Sequence, residues 1–424
     1  MVTHMDRQLR DLLDAAAGEP PHRVTAETVL RRAARRRAKY LAGAAAVAVI
    51  AVVAVVAVIT AGIPAPGHPP RPSAARQPRA TVYVYTPAGT VTAIDPATNT
   101  HGKPVKLRAG LGAIAVTPDG QTVYVADNVV GFRSGQVIPI DTATSTAGKP
   151  INVGMAPDAI AITPDGKTAY VACSFSMTVT PIDTATNTAG KPINVGMAPD
   201  VIAITPDGKT AYVVNSGSGN VTPIDTATNT AGKHIGVGTG PDAIAITPDG
   251  KTAYVVNYST GGNLNAGTVT AIDTATNTRE KFIHVGTEAS AIAITPDGET
   301  AYVANKGSNT VTPIDTATNT PGTPIKVGNG PTAIAITPDG KTAYVVNVFS
   351  GTVTPIDTAT NTPGTPIKVG SEPVAIAITP DGKTAYVGDN SPGNTIIPID
   401  TATNTAGQPV NDGGRDTPVI VITP

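Results

Sequence analysis

Three acids recur at one position of a repeating segment: Asp158, Asp200 and Asp242 each stand just before a run of Ala, Ile and Val, and the amides Asn215 and Asn257 close the next run in two of the same repeats. Carboxylate and amide oxygens brought together in this way suit a hard cation such as Ca²⁺, or the hydroxyls of a sugar. The plainer reading is that each aspartate hydrogen-bonds backbone amides of its own loop. Phe132, Arg133, Phe175, Tyr258 and Phe349 fall in loops at the same end of the repeat, and those loops also carry all the length variation. Drifting surface loops would not selectively place apolar residues in water, so the pattern reads as a binding face.

Catalysis asks for convergent nucleophiles, acids and bases, and none is recognisable here. The three histidines of the repeats, His101, His234 and His284, each lie in or just before an outermost strand. The recurrent carboxylates have a turn-building explanation: Asp165 and Asp207 sit in TPDG turns, and Asp183 and Asp225 open the loop after a third strand. No phosphate-cradling loop, paired-histidine metal motif or calcium-loop pattern occurs. We therefore assign no catalytic residue and no cofactor, apart from the Ca²⁺ that the three acids could hold where their position opens onto the central channel of a ring of such repeats.

The element that must position these groups is the stretch from Val201 to Asp242. Val201 to Thr205, Thr210 to Val214, Val221 to Ile224 and His234 to Val237 are four runs of β-formers. TPDG joins the first two: proline presets φ, aspartate accepts backbone hydrogen bonds and glycine tolerates φ > 0. The unit is an antiparallel meander of about 42 residues that repeats in phase. TPDG begins at Thr117, Thr163, Thr205, Thr247, Thr295, Thr337 and Thr379, and the last residues, Ile422-Thr423-Pro424, are a further first strand. At the other end Thr81 to Tyr85 reads as a second strand with no first. These complementary ends predict an all-β, eight-bladed β-propeller of four-stranded antiparallel blades, closed by the C-terminal strand joining the N-terminal blade; seven blades are the alternative. Ile160 and Ile162 should project from one face of their sheet and Ala159 and Ala161 from the other, so that bulky faces meet small ones around the ring.

Tyr212-Val-Val-Asn215, Tyr254-Val-Val-Asn257, Tyr302-Val-Ala-Asn305 and Tyr344-Val-Val-Asn347 resemble the signature of the YVTN-repeat β-propeller family, and the resemblance covers residues 81–424. Thr86, Asp127, Cys173 and Asp389 replace the asparagine in the other repeats. The resemblance implies a bacterial or archaeal surface-type propeller, commonly of seven blades. Lactonases occur on similar propellers.

Aromatics make up 4% of the 424 residues and Trp is absent, so the core is built from Val, Ile, Ala and Tyr. A formal net charge of -1 and the lack of a basic, aromatic-interleaved groove argue against nucleic acid. Cys173, the one cysteine, reads as a buried strand-end residue. Residues 1–40 form a basic helical segment ending in Arg31, Arg32, Arg35, Arg36, Arg37 and Lys39. Leu41 to Ile63 carries no charge and is long enough to cross a hydrocarbon core of about 30 Å, so a single-pass transmembrane helix is expected. The arginines place residues 1–40 in the cytoplasm and the propeller outside. Residues 64–80 are a Pro-rich stalk and 81–424 the propeller. The expected function is a monomeric, membrane-anchored scaffold that binds an envelope or surface protein or glycan through its variable face. A lactonase-type hydrolase and the sensor of a transmembrane signalling protein are the alternatives.

Overall fold

The computed structural model describes residues 80–423, apart from 87–88, 109, 111, 128–134, 260–266, 392–394 and 412–418. The expected cytoplasmic segment, transmembrane helix and stalk up to residue 79 lie outside the described residues. Among the described residues no helix is long and apolar enough to cross a membrane.

Among the described residues eight antiparallel sheets follow one another, in agreement with the eight-bladed reading. Blade 4 is typical. Its strands are Pro199–Ile204, Thr210–Asn215 and Asn220–Asp225, followed by an outer strand broken into Thr230–Ala231 and Ile235–Gly236. In six other blades the break has a sequence cause, because a proline (Pro104, Pro150, Pro192, Pro324, Pro366, Pro409) follows the glycine and cannot donate to a ladder, whereas blade 4 breaks at Gly232-Lys233-His234 without one. Blade 5 has Arg279-Glu-Lys-Phe282 there instead, and its outer strand runs unbroken over Thr278–His284.

The turns follow their chemistry. Thr205 donates its hydroxyl to Asp207 Oδ1 at 2.7 Å, the same oxygen accepts the Lys209 N–H at 3.1 Å, and Gly208 takes φ +73°. After the third strand Asp225 Oδ1 accepts from both the N–H and the hydroxyl of Thr228, at 2.8 and 2.7 Å, and Asn229 adopts φ 55°. Asparagine tolerates this left-handed conformation better than most residues.

Neighbouring blades share apolar clusters of complementary size. Ile202 and Ile204 of blade 4 pack with Tyr170, Ala172, Ala159 and Ala161 of blade 3, while Val201, Ala203 and Tyr212 of blade 4 pack with Ile244, Ala253 and Val255 of blade 5. The alternation expected for Ile160, Ile162, Ala159 and Ala161 is therefore realised. A buried tyrosine also latches each of seven blades to the next. Tyr170 donates to Asn229 Oδ1 at 2.7 Å and Tyr212 to Asn277 Oδ1 at 2.6 Å, and the series ends with Tyr386 donating to Asn99 at 2.8 Å. The ring closes as the incomplete ends predicted, since Val419–Ile422 pairs antiparallel with Val82–Thr86 in the register Val84 opposite Ile420.

Candidate binding face

In the three acid-bearing blades the first strand begins two to four residues earlier than the apolar run suggests, and this relocates the acids. In blade 3 it spans Pro157–Ile162, with a register shift between Pro157 and Ala159, so Asp158 is the bulged residue. Asp200 and Asp242 occupy the same bulge in blades 4 and 5. A bulge re-aims its side chain out of the pleat. Elsewhere the position is filled by Ser290, Thr332 and Val374, all buried, and in blade 2 by Gly112, where an added Cβ would stand 1.9 Å from Ala126 O. The arc of half-exposed acids thus covers three successive blades, at the end where the second strand turns into the third.

Asp158 has a partner in its own blade. Asp158 Oδ2 accepts a short hydrogen bond from the Ser174 hydroxyl, the residue that follows the second strand. Ser216 and Tyr258 stand at the corresponding positions of blades 4 and 5, Tyr258 inside a second strand that runs on over Thr252–Ser259. Among the described residues no three His, Cys, Asp or Glu are grouped to hold a metal ion.

Asn215 and Asn257 are fully buried and lie inside their sheets. The Asn215 amide donates to Thr222 Oγ1 at 2.8 Å, and that of Asn257 to Thr270 Oγ1 at 2.9 Å. These amides tie the second strand to the third, so the sequence reading that put them beside the acids as ligand groups finds no exposed amide there.

The aromatic and thioether residues do reach solvent. Phe349 is 58% exposed and Phe175 47%, with Met155 and Met177 also exposed. Met177 sits at φ 55°, where Gly219, Asn309 and Gly351 carry the same turn in other blades. A β-carbon costs energy in that region, so Met177 holds its exposed side chain at a conformational penalty. Phe349 lies under the Lys306 ammonium, 5.4 Å from the ring centroid, and over Gly330, where a β-carbon would meet the ring at 2.5 Å. Tyr258 is half-buried; Phe132 and Arg133 lie outside the described residues. The fourth phenylalanine, Phe282, is on the outer strand of blade 5, stacked with Arg279 at 4.8 Å.

His101, His234 and His284 are exposed on or beside outer strands, as expected. At the opposite end of the ring the carboxylates belong to the turns. Thr186 holds the Asp183 carboxyl below its ordinary pKa, and Thr228 does the same for Asp225. The Lys–Asp pairs beside them, such as Lys209 and Asp207 at 3.1 Å, are largely solvated and add little.

The sequence model of the family described as "Lactonase, 7-bladed beta-propeller" matches residues 196–362, which run from blade 4 to blade 7. No curated protein matches the chain. Among solved structures, hydrazine synthase of Kuenenia stuttgartiensis is similar at 27% identity, over 69% of this chain and 96% of that one, with a TM-score of 0.56. The dihydro-heme d1 dehydrogenase NirN aligns at 16% identity over 84% and 77%, with a TM-score of 0.69, and a functionally unknown protein from Desulfotomaculum acetoxidans at 17% over 68% and 95%, with 0.53. The last two likenesses are of fold alone.

Proposed function

We propose that the chain is a binding protein that presents the end of the ring bearing Phe175, Phe349, Met155 and Met177 to a protein or glycan of the cell envelope, held at the membrane by Leu41 to Ile63. The observation that carries this reading is the exposure of four large apolar side chains on loops of one end, while the opposite end shows turns of almost invariant polar sequence. Large apolar side chains exposed on loops mark interaction sites, and aromatic anchors carry much of the energy at interfaces. Phe175→Ala combined with Phe349→Ala should weaken capture of an envelope partner about tenfold or more while leaving the melting temperature in place, since neither ring is core. Equal capture by the double variant would remove the basis of the proposal. The Ca²⁺ version of the acid arc belongs to the same face, and calorimetric titration with Ca²⁺ tests it. The anchor is tested by protease added to intact cells stripped of wall: external digestion of the propeller is expected, and resistance until lysis would reverse the orientation.

A second reading is favoured by the family match over residues 196–362: a hydrolase of lactonase type. Against it, the described histidines lie on or beside outer strands, whereas the acids of the bulges begin first strands. Incubating the full chain with a panel of lactones and following acid release separates the two readings. Turnover abolished by changing Asp158, Asp200 and Asp242 together to Asn would establish the hydrolase.

A further inference from the structure

Among the described residues seven of the eight outer strands are interrupted, and blade 5 is the exception. Its outer strand, Thr278–His284, runs unbroken and exposes every residue but Ile283. It also ends the order of its sheet, so one hydrogen-bonding edge of its backbone faces no strand among the described residues. An open edge of this kind is a template for another strand. Charged side chains and a bulge ordinarily defend such an edge, and this one has both. The register against Thr268–Asp273 sets Arg279 opposite Ile272 and Phe282 opposite Thr270, so Glu280 and Lys281 share the single position of Ala271.

The bulge sorts these four side chains by face. Arg279 and Phe282 turn to the side of blade 4: the guanidinium lies 4.8 Å from the centre of the Phe282 ring, and Arg279 Nη1 donates to Gly236 O at 3.4 Å. Glu280 and Lys281 turn to the side of blade 6, where Asn319 Nδ2 donates to Glu280 Oε2 at 2.8 Å and Lys281 Nζ donates to Thr318 O at 3.1 Å. The neighbouring blades thus hold the charged residues in place on each side. Phe282 stays 41% exposed beside them.

We propose that the outer strand of blade 5 is a homodimer contact, in which a second copy of this chain pairs antiparallel along the same edge about a twofold axis between Glu280 and Lys281. The two features that would turn other strands away select this occupant. A regular strand loses register against a bulged edge, because one of its positions meets two residues. A second copy carries the same doubling at the axis, so Arg279 meets the partner's Phe282 and Phe282 the partner's Arg279. Reversal of the sequence also matches the charges, setting Glu280 opposite the partner's Lys281 and Lys281 opposite the partner's Glu280. An axis that joins two identical edges stands perpendicular to the shared sheet and keeps corresponding faces together, so the acid–base pairs fall on one face and the Arg–Phe pairs on the other. Opposite charges and cation–π pairs across strands are stabilising. A single strand pair is small beside stable interfaces, so the dimer should be reversible and concentration-dependent. It takes the place of the monomer expected from the sequence and does not depend on what the loops of the ring bind.

A charge swap in the full chain, purified in detergent and followed by sedimentation at rising protein concentration, tests the contact. Wild type should pass from monomer to dimer. Glu280→Lys and Lys281→Glu each set like charges opposite one another and should weaken the dimer about tenfold or more. The two substitutions together restore opposite charges across the axis and should bring the dimer back. They cannot restore the bonds to Asn319 and Thr318, so recovery separates pairing across the axis from a role in holding the strand to blade 6. Phe282→Ala should weaken the dimer about as much as one reversal, and Phe349→Ala, on a loop of blade 7, should leave it unchanged. A monomer at every concentration overturns the proposal. A dimer that both single reversals leave intact overturns it as well, because the copies then meet elsewhere, through the expected anchor or the loops. Loss in each single variant without recovery in the swap reduces Glu280 and Lys281 to struts of their own blade and also overturns it.

Discussion

The position that ends each second strand shows how much one side chain decides. Asparagine there cross-links its own hairpin, and an acid can do so only if donors surround it. Asp389 manages this, accepting the Glu372 N–H at 2.8 Å and the Ser391 hydroxyl. Asp127 does not: it is 4% exposed, its Oδ1 has no hydrogen-bond partner among the described residues, and burial raises its pKa, with Arg108 offsetting part of the rise. Asp127→Asn should therefore stabilise the protein by about 1–2 kcal/mol at pH 7. The sign of the pH dependence follows from the raised folded pKa. The folded state takes up the proton before the unfolded state does, so the charge penalty is present at neutral pH and fades as pH falls through the folded value. The advantage of the Asn variant should shrink on acidification, measured by denaturant unfolding of both proteins from neutral pH down to the ordinary aspartate range near about pH 4. A gain that holds constant or grows in acid would show that burial of the charge is not what Asp127 costs.

At the scale of the element, the loop after each third strand serves two blades. Its asparagine holds the left-handed turn of its own blade and accepts the tyrosine hydroxyl of the blade before. Blade 2 breaks the series with Ser145 at φ 53°, and Tyr83 of blade 1 turns to Thr142 instead. Serine pays more than asparagine for that backbone and reaches less far. Ser145→Asn should add the eighth latch and stabilise by about 0.5–1.5 kcal/mol, read as a higher denaturation midpoint with unchanged slope. A neutral or lower midpoint would mean that the seam between blades 1 and 2 is already satisfied. Much of this was legible in the chain. TPDG and Asp-Thr-Ala-Thr-Asn announce their turns because glycine and asparagine at fixed offsets have few other uses. The tyrosine latch was not, since its partners are some 60 positions apart and only the ring brings them together. The bulge that carries Asp158, Asp200 and Asp242 was hidden as well: an extra residue leaves the apolar alternation after it intact, so the pattern dates the strand from Ala159 and not from Pro157. The buried Thr180 hydroxyl, which meets the Cys173 thiol where sister blades offer an asparagine amide, does have a sequence signal, Cys173 at an asparagine position, but its meaning appears only beside those blades.

For the whole molecule, stability rests on a closed ring whose joint is the pairing of the two chain ends. Each interblade face buries Val, Ile, Ala and Tyr against a neighbour, so a ring has no free face and an arc has two. The joint is short. Four residue pairs connect Val419–Ile422 to the second strand of blade 1, extended by the Thr423 N–H to Thr81 O at 2.9 Å and the Thr81 N–H to Thr423 Oγ1 at 2.7 Å. Val419 and Ile420 are also core residues, and Val419 packs with Tyr83 and Tyr85 against blade 2. Removing residues 419–424 would take away the first strand of blade 1, uncover the edge of Val82–Thr86, and open the cluster shared with blade 2. An uncovered apolar edge strand pairs with whatever strand it meets. The truncated chain should melt at least about 10 °C lower or aggregate on purification, as expected for the loss of several core side chains and a strand from one cooperative ring. A truncated protein with the melting temperature and solubility of the full chain would show instead that the blades hold their arc without the joint, and that the terminal strand is only an attachment to a ring already closed by the Tyr386 to Asn99 latch.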